Sequence, residues 1–461
     1  MAKDYSGYSY WLETSGDDLT PRAPLDGSIT VDVAILGAGF TGLWTAYHLL
    51  QRDPALKVAI IEAEIAGFGA SGRNGGWCFS GFPMHTPQMR ETYGDDVAKA
   101  VQLAMYGAVD NVGDVCEREG IDAHYAKTGV MNLARGDYDL PGLEARMAQY
   151  RALGIEDHYE LLDKAGADAH VRVARTVGAI WAKEGATVQP ARLARGLARA
   201  VERHGATIYE QTRVTNVVPG PLPRLDTARG NVSARVVVLA GEAYLSQLPG
   251  LERQIIPMTS HIVLTEPLSE AQWAQIGWEQ REVMGAMGTT AGYLNKTVDG
   301  RIAFGAFRAK YPFNSKITDD LDKDEEIFEH ARRSTIDWFP MLEGVRFTHA
   351  WGGVFGRPRD RLPMMTLDRA TGIATARGYS GEGVATANLS GQVLSDLITE
   401  ADTDLTKLPM TTHQSKNWEP EPLRYLGVSY VRRSMAKLNE QVEREGKYPE
   451  KQTLAQKLFQ D

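Results

Sequence analysis

The chain has 461 residues, of which 43% are hydrophobic and 24% are charged, and its formal net charge at pH 7 is −9. This length and composition indicate a globular protein with more than one structural unit, and the acidic balance argues against nucleic acid as a partner. Two cysteines, Cys78 and Cys116, are too few for a disulfide framework. Because no apolar leader and no long apolar run are visible, we expect a cytoplasmic protein without an integral membrane span.

The stretch Val31–Glu62 predicts a dinucleotide-binding unit. Apolar runs at Val33–Leu36 and Val58–Ile61 predict two buried parallel strands, and a G-x-G-x-x-G motif with a helical pattern lies between them. The first glycine permits a tight turn, the second lets a pyrophosphate approach the backbone, and the third lets helix and strand pack closely. Glu62 follows at the position where a carboxylate accepts hydrogen bonds from ribose hydroxyls. This motif alone does not distinguish NAD from FAD.

The chain continues into a glycine-rich loop, 66–81, which contains Arg73. Helical spacing then predicts one helix over 87–120, and further helices and strands follow up to residue 184. Helix–strand units of the first type return over 190–239, so the intervening residues are predicted to form an inserted domain. Later elements are a strand at 255–265, a hairpin at 293–307, a helix at 320–338, a strand at 347–354 that ends in a glycine turn, and a second glycine turn at 378–385 that opens a helix.

The C-terminal extension contains a basic amphipathic pattern over Leu423–Val442. Such a helix packs on the body of the protein or on a neighbouring subunit in most cases, because packing is what stabilises helices of this length. The alternative is that it lies on a membrane surface. The histidines are scattered without the spacing of metal ligands, so no metal site is expected.

Several blocks, in this order and spacing, resemble the D-amino-acid oxidase-like family of FAD-dependent oxidoreductases, and most closely the branch that contains γ-glutamylputrescine oxidoreductase. The blocks are VDVAILGAGFTGLWTAYHL, GASGRNGG, VVVLAG, DGRIAFGA, WGGV and GYSGEGVA. The resemblance implies an α/β fold with a Rossmann-like FAD-binding domain and an inserted mixed β-sheet substrate domain. It divides the chain into an N-terminal arm (1–27), an FAD-binding domain (28–86, 185–250 and 350–400), a substrate domain (87–184 and 251–349) and a C-terminal helical extension (401–461).

The resemblance also implies which residues contact FAD: Gly37, Gly39, Phe40, Thr41, Gly42, Glu62, Ala63, Ser71, Arg73, Asn74, Gly75, Gly76, Val214, Ala240, Gly241, Gly381, Glu382, Gly383 and Val384. The chain departs from the family pattern at two of these places. Glu382 stands where relatives often have His, and Ala240-Gly241-Glu242 replaces the commoner Ala-Thr-Gly. No Cys or His stands where relatives attach the flavin covalently, so non-covalent FAD is expected.

The activity that the resemblance implies is oxidation of the C–N bond of a small primary or secondary amine, by hydride transfer to flavin N5 followed by imine hydrolysis. The amine is an amino acid derivative, a γ-glutamylated amine or an aminophosphonate, and oxygen or another carrier accepts the electrons. Arg308 and Arg357 are candidates for binding a substrate carboxylate. The candidate catalytic residues are Tyr293, Trp351 and His261.

Two other functions remain open on the sequence alone. An FAD-dependent 2-hydroxy-acid or polyol dehydrogenase requires a base near the flavin, such as His261. A non-catalytic flavin-binding accessory protein would bind FAD that no small amine reduces. Fold alone does not decide among these functions. A homo-oligomer is compatible with all of them.

Overall fold

Two eight-stranded sheets and a small two-stranded sheet, together with the helices that cover them, form the part of the protein described by the structure; the small sheet pairs residues 77–79 with residues 185–187. The structure is a computed structural model that describes residues 3–288, 292–306, 308–449 and 451–460. Its strands are β1 (Ile29–Leu36), β2 (Val58–Ile61), β3 (Trp77–Phe79), β4 (Val130–Ala134), β5 (Tyr159–Asp163), β6 (Gly178–Ala182), β7 (Gly185–Thr187), β8 (Thr207–Tyr209), β9 (Val214–Val218), β10 (Arg224–Thr227), β11 (Gly230–Leu239), β12 (Ile256–Thr265), β13 (Val283–Ala286), β14 (Tyr293–Lys296), β15 (Ile302–Ala306), β16 (Phe347–Arg357), β17 (Met364–Asp368) and β18 (Ile373–Arg377).

The helices, apart from short 3-10 turns, connect these strands and cover the sheets. They are α1 (Tyr10–Glu13), α2 (Phe40–Arg52), α3 (Thr86–Tyr93), α4 (Asp95–Glu119), α5 (Leu140–Leu153), α6 (Lys164–His170), α7 (Pro190–Arg203), α8 (Glu270–Ile276), α9 (Glu325–Trp338), α10 (Gly383–Ile398), α11 (Leu423–Glu445) and α12 (Leu454–Gln460). Among the described residues, no helix is both long enough and apolar enough to cross a bilayer.

The first sheet has the order β17-β18-β11-β1-β2-β8, in which β18 to β8 are parallel and the edge strand β17 is antiparallel to β18. Strand β10 pairs with β11, and β9 pairs with β10, both antiparallel. Strand β1 pairs in parallel with β2 and β11, and β11 pairs in parallel with β18. Val33, Ala34 and Ile35 are fully buried, because a parallel sheet needs cover on both faces. The predicted α/β class and the Rossmann-like β1-α2-β2 unit are therefore confirmed.

The second sheet is mixed, with the order β16-β12-β15-β14-β13-β4-β6-β5. Its strands come from residues 130–182 and 256–357, which interrupt the strands of the first sheet. Strand β16 pairs with β12 over its whole length, from Phe347 to Arg357, so the predicted boundary at residue 350 falls inside one strand. The division of the chain into domains stays a prediction.

Three local predictions differ from the structure, and the first two concern helices. The helix predicted over 87–120 is two helices, because Gly94 adopts a φ of +88° between α3 and α4. The helix predicted from residue 320 begins at Glu325, where the Asp324 side chain accepts the Ile327 N–H at 3.3 Å. In the predicted hairpin over 293–307, Phe307 lies outside the described residues.

The third difference concerns the WGGV block, where no turn forms. Strand β16 continues through Gly352 and Gly353 to Arg357. The glycines of this strand instead let other parts of the chain come close to its backbone. A Cβ on Gly352 would lie 2.8 Å from the Asp322 Cα, and a Cβ on Gly356 would lie 2.2 Å from the Glu242 Oε2.

Candidate active site

Two helix N-termini meet at one edge of the first sheet. Helix α2 follows β1 and helix α10 follows β18, and both strands run in the same direction. The N-cap residues, Gly39 of α2 and Glu382 of α10, make no side-chain cap hydrogen bond to their own helix. A Cβ on Gly391 would lie 2.7 Å from the Trp44 backbone, so the two helices pack very closely. Unsatisfied N–H groups and two positive helix ends make this edge suitable for a phosphate-bearing, electron-rich ligand.

The three glycines of the motif have different surroundings. Gly37 has a φ of +101°, and a Cβ there would lie 2.9 Å from the Ala240 carbonyl oxygen, beside Gly241. A Cβ on Gly42 would lie only 2.0 Å from the Gly37 carbonyl oxygen. Gly39 has ordinary extended dihedral angles, and a Cβ there would meet only Ser71 Oγ, at 3.1 Å. Gly37 and Gly42 are thus required by the fold itself, whereas Gly39 leaves space for a ligand.

Glu62 lies at the end of β2 and is held in place by backbone N–H groups. Its Oε2 accepts from Ala38 at 2.8 Å and its Oε1 accepts from Glu64 at 2.9 Å. Burial, opposed by these hydrogen bonds, raises the pKa of Glu62 to about 7. The Thr212 N–H donates to the Glu62 carbonyl oxygen at 2.8 Å, which brings the chain that leads into Val214 to the same corner, beside Ala63.

The glycine-rich loop is fixed by its own polar side chains. Ser71 Oγ accepts the Phe40 N–H, at the start of α2, at 2.8 Å. Asn74 Oδ1 accepts the Gly76 N–H at 2.8 Å and so closes the turn over Gly75. Trp351 donates to the Arg73 carbonyl oxygen at 2.9 Å. The loop therefore contacts both α2 and the second sheet.

The Arg73 side chain is turned toward protein groups and is 5% exposed. Its Nε donates to the Phe68 carbonyl oxygen at 2.9 Å, one terminal nitrogen donates to Tyr244 OH at 3.1 Å, and the other pairs with Asp322. Burial raises the pKa of Asp322 to about 6, although Arg73 opposes the shift. In this structure Arg73 ties the glycine-rich loop to a segment that leads into α9.

One row of the second sheet faces the glycine-rich loop. The cross-strand pairs place Trp351, Ile262, Gly305 and Tyr293 side by side on β16, β12, β15 and β14. The Tyr293 ring lies over Gly305 and beside Gly75, since a Cβ on those glycines would come within 1.9 and 2.4 Å of ring atoms. The structure thus brings Tyr293 and Trp351 together with the glycine-rich loop.

His261 lies in the next row and faces the other side of the same sheet. Its Nε2 is 3.0 Å from the Leu321 carbonyl oxygen, and its ring packs edge-on against Phe328 of α9, with centroids 5.4 Å apart. Burial lowers the pKa of His261. The structure therefore does not bring His261 together with Tyr293 and Trp351.

The two candidate arginines are also placed differently. Arg357 ends β16, and burial together with the nearby cations Arg361 and Arg359 lowers its pKa to about 9. Arg361 in turn interacts electrostatically with Glu382 at the start of α10. The backbone oxygen of Arg308 instead receives a long contact of 3.5 Å from Arg432 of α11. The Ser380 N–H, just before α10, donates to the Gly356 carbonyl oxygen at 3.0 Å, next to Arg357. Arg357 thus belongs to the α10 end of the site, and Arg308 to the α11 side of the molecule.

The start of α10 carries the remaining predicted residues. Gly381 has a φ of +103°, and a Cβ there would meet nothing within 4 Å. Gly383 is the first residue of α10, and Val384 behind it is 5% exposed. Burial raises the pKa of Glu382 to about 7, although Arg361 and Arg146 oppose the shift. This end of the site combines open backbone N–H groups with one titratable carboxyl.

The sequence prediction did not assign a role to Glu242, which the structure places at the joint between the two sheets. Its Oε1 accepts the N–H groups of Gly378 at 2.9 Å and of Tyr379 at 3.1 Å, at the start of the second glycine turn. Tyr379 OH is 2.9 Å from Thr41 Oγ1 of α2. The departure from Ala-Thr-Gly at 240–242 was the only indication of this role in the sequence.

We expect Glu242→Ala to lower the free energy of unfolding by about 2–4 kcal/mol, because two buried N–H groups lose their acceptor. The loss is measured by urea denaturation of the apoprotein. Glu242→Gln is the matched control, since its amide oxygen can still accept both N–H groups, and it should keep most of the stability. Equal losses in both variants would contradict this account of Glu242.

The residues at this edge fit FAD: Gly39 leaves room for a pyrophosphate, Glu62 presents its carboxylate at the expected ribose position, and the N-termini of two helices point at the site. The family described as FAD dependent oxidoreductase (DAO) matches residues 32–397. Gamma-glutamylputrescine oxidoreductase of Escherichia coli (strain K12) is 30% identical over 393 residues, which cover 85% of this chain and 88% of that protein.

Solved structures share the fold. Glycine oxidase from Geobacillus kaustophilus superposes with a TM-score of 0.69 at 22% identity, covering 83% of this chain and 99% of that one. L-proline dehydrogenase from P. horikoshii also superposes with a TM-score of 0.69, at 19% identity, covering 84% of this chain and 96% of that one. The site and these matches together lead to one conclusion: the chain belongs to the DAO family of FAD-dependent oxidoreductases.

Proposed function

We propose that this protein oxidises the C–N bond of a small primary or secondary amine that also carries an anionic group. The observation that carries the proposal is the row formed by Tyr293 and Trp351, which faces the glycine-rich loop with Arg357 at the α10 end. The names of the relatives support the amine: one acts on gamma-glutamylputrescine, and a glycine oxidase shares the fold. An amino acid derivative, a γ-glutamylated amine and an aminophosphonate all meet this description.

The chain's own residues would hold FAD without a covalent bond. Cys78 and Cys116 are buried, and burial raises the pKa of both thiols, that of Cys116 to about 12. The N-terminus of α2 would bind the pyrophosphate, Glu62 the adenosine ribose, and the N-terminus of α10 the N1–C2=O edge of the flavin. When bound, FAD supplies a hydride acceptor at N5.

The remaining residues would bind and orient the amine. Burial raises the pKa of Tyr293 to about 12, so its hydroxyl stays neutral, and it lies 2.8 Å from Ser260 Oγ. Tyr293 and Trp351 would wall the site and exclude water from it. A neutral amine needs no strong base. A 2-hydroxy acid does, and the placement of His261 on the other face of the sheet gives that alternative no support.

We expect Arg357→Gln to raise the KM for an amine that carries a carboxylate by about 10- to 100-fold, because the substitution removes one charge-assisted bidentate contact to that carboxylate. An amine without an anionic group should keep its KM. Steady-state kinetics of both substrates measure the difference. Arg308→Gln is the matched control and should change neither value, and a larger effect at Arg308 than at Arg357 would contradict the assignment.

The proposal is tested by anaerobic mixing of the purified yellow protein with a panel of amines and 2-hydroxy acids. Loss of the flavin absorbance near 450 nm, a property of the cofactor, reports substrate oxidation. If an amine bleaches the flavin and the yellow colour returns in air, the protein is an oxidase. If the colour does not return in air, an electron acceptor other than oxygen reoxidises the flavin. Bleaching by hydroxy acids alone would overturn the proposal, and colour that no compound bleaches would favour a flavin-binding accessory protein.

A further inference from the structure

Helix α11 exposes an apolar stripe that no described part of the chain covers. Leu423, Leu426 and Tyr430 lie on one side of the helix and are 62%, 58% and 48% exposed. Phe313, 55% exposed, packs edge-on against Tyr425 on another side of the same helix, with centroids 5.5 Å apart. Clusters of large exposed apolar side chains are uncommon on a surface that faces only water.

The same helix is held firmly to the protein on its other side. Met435, Leu438 and Val442 are buried and form one cluster with Ala455 of α12. At the first turn, Arg424 is buried and pairs with Glu421 at 3.1 Å. The exposed stripe is therefore presented by an anchored helix, and the packing predicted for α11 accounts for only one of its faces.

Cations continue the apolar stripe along α11. Arg433 and Lys437 follow at helical spacing and are exposed, and Arg432 lies beside them, close to Arg308. The segment 423–437 contains no Asp or Glu, although the whole chain carries a net charge of −9. Within the described ranges, neither Arg433 nor Lys437 has a carboxylate within 4 Å. These charges are thus left for an anionic partner.

We propose that the stripe Leu423–Leu426–Tyr430–Arg433–Lys437, the α11 stripe, docks the protein on an anionic lipid surface. The apolar side chains would enter the boundary between headgroups and acyl chains, and the two cations would contact lipid phosphates. A second copy of the chain fits less well. An antiparallel pair of α11 helices centred on Tyr430 would place Lys437 of each copy against Leu423 of the other, with no carboxylate opposite either cation.

The test is co-sedimentation of the full-length, FAD-loaded protein with two kinds of vesicle. One kind is phosphatidylcholine alone, and the other is equal parts phosphatidylglycerol and phosphatidylcholine. We expect binding to the anionic vesicles that weakens as salt is added, and little binding to the neutral ones. Failure to bind the anionic vesicles would overturn the proposal, whatever substrate the enzyme oxidises.

Variants separate the two parts of the stripe. Arg433→Glu with Lys437→Glu, and separately Leu423→Ser with Leu426→Ser, should each lower vesicle binding by at least about tenfold. Leu222→Ser is the control, since Leu222 is 60% exposed on the turn between β9 and β10. Flavin colour reports that each variant is folded. Vesicle binding that is undiminished in both double variants would contradict lipid docking. So would a dimer of the unsubstituted protein, seen by light scattering, that either double variant converts to monomers.

Discussion

Gly39→Ala is expected to yield a folded protein that purifies without yellow colour. The backbone of Gly39 is compatible with any residue, and its Cβ would meet only Ser71 Oγ, at 3.1 Å. The new methyl group would instead occupy the space that a pyrophosphate needs. We expect FAD affinity to fall by about 100-fold, equivalent to about 3 kcal/mol of overpacking. Titration of the apoprotein with FAD, followed by the quenching of flavin fluorescence, measures this loss.

Gly42→Ala is the matched comparison, with a methyl group three residues along the same motif. Its Cβ would lie 2.0 Å from the Gly37 carbonyl oxygen, and backbone cannot move aside as a flexible side chain can. We expect this variant to lose the fold of the apoprotein as well as FAD, as judged by its thermal unfolding. If Gly39→Ala remained yellow, or unfolded at the same low temperature as Gly42→Ala, the assignment of Gly39 to the cofactor would be wrong.

FAD affinity is expected to rise with pH through about pH 7 because of Glu62. In the apoprotein, burial raises the pKa of Glu62 to about 7. Ribose hydroxyls donate to the ionised carboxylate, so binding favours the charged form and releases a proton. Affinity should therefore fall by up to about tenfold for each pH unit below 7 and level off above it. Titrations with FAD at a series of pH values measure this dependence.

Glu62→Gln is the control for this pH dependence. The amide keeps an acceptor but cannot titrate, so the variant should bind FAD with an affinity that no longer changes around pH 7. The stability of the apoprotein should change with pH in the opposite direction to FAD affinity. A carboxyl whose pKa is raised by folding stabilises the folded state at low pH, and this contribution is lost as the pH rises through 7. A pH dependence that persists in Glu62→Gln would assign it to another group.

The parts of the fold that the sequence predicts well are those determined by neighbouring residues. Strand β2 has the predicted bounds, Val58–Ile61, and α2 begins directly after Gly39. Apolar runs, glycine turns and helical spacing are all visible over short distances. The strand predicted at 255–265 also implies the alternation seen along β12, with Ile262 on one face and His261 on the other, because successive side chains of a strand point to opposite faces.

The sequence leaves open which face of the second sheet meets the glycine-rich loop. The answer depends on the register of β12 with β15, β16 and, through them, β14, strands that lie far apart along the chain. Arg357 is also separated in the sequence from α10, which begins at Gly383, so the spacing of residues could not distinguish Arg357 from Arg308. Glycines at 352 and 353 predicted a turn because a glycine that permits close contact looks the same in sequence as one that permits positive φ.

The most direct test of the central claim compares an amine that bleaches the flavin with the same amine deuterated at the carbon next to nitrogen. Rapid anaerobic mixing records the rate of absorbance loss near 450 nm for both. The account predicts that deuteration slows the bleaching severalfold, because the bond from that carbon to hydrogen breaks as the flavin is reduced. Failure of every amine to bleach the flavin, or bleaching by 2-hydroxy acids alone, would contradict the account.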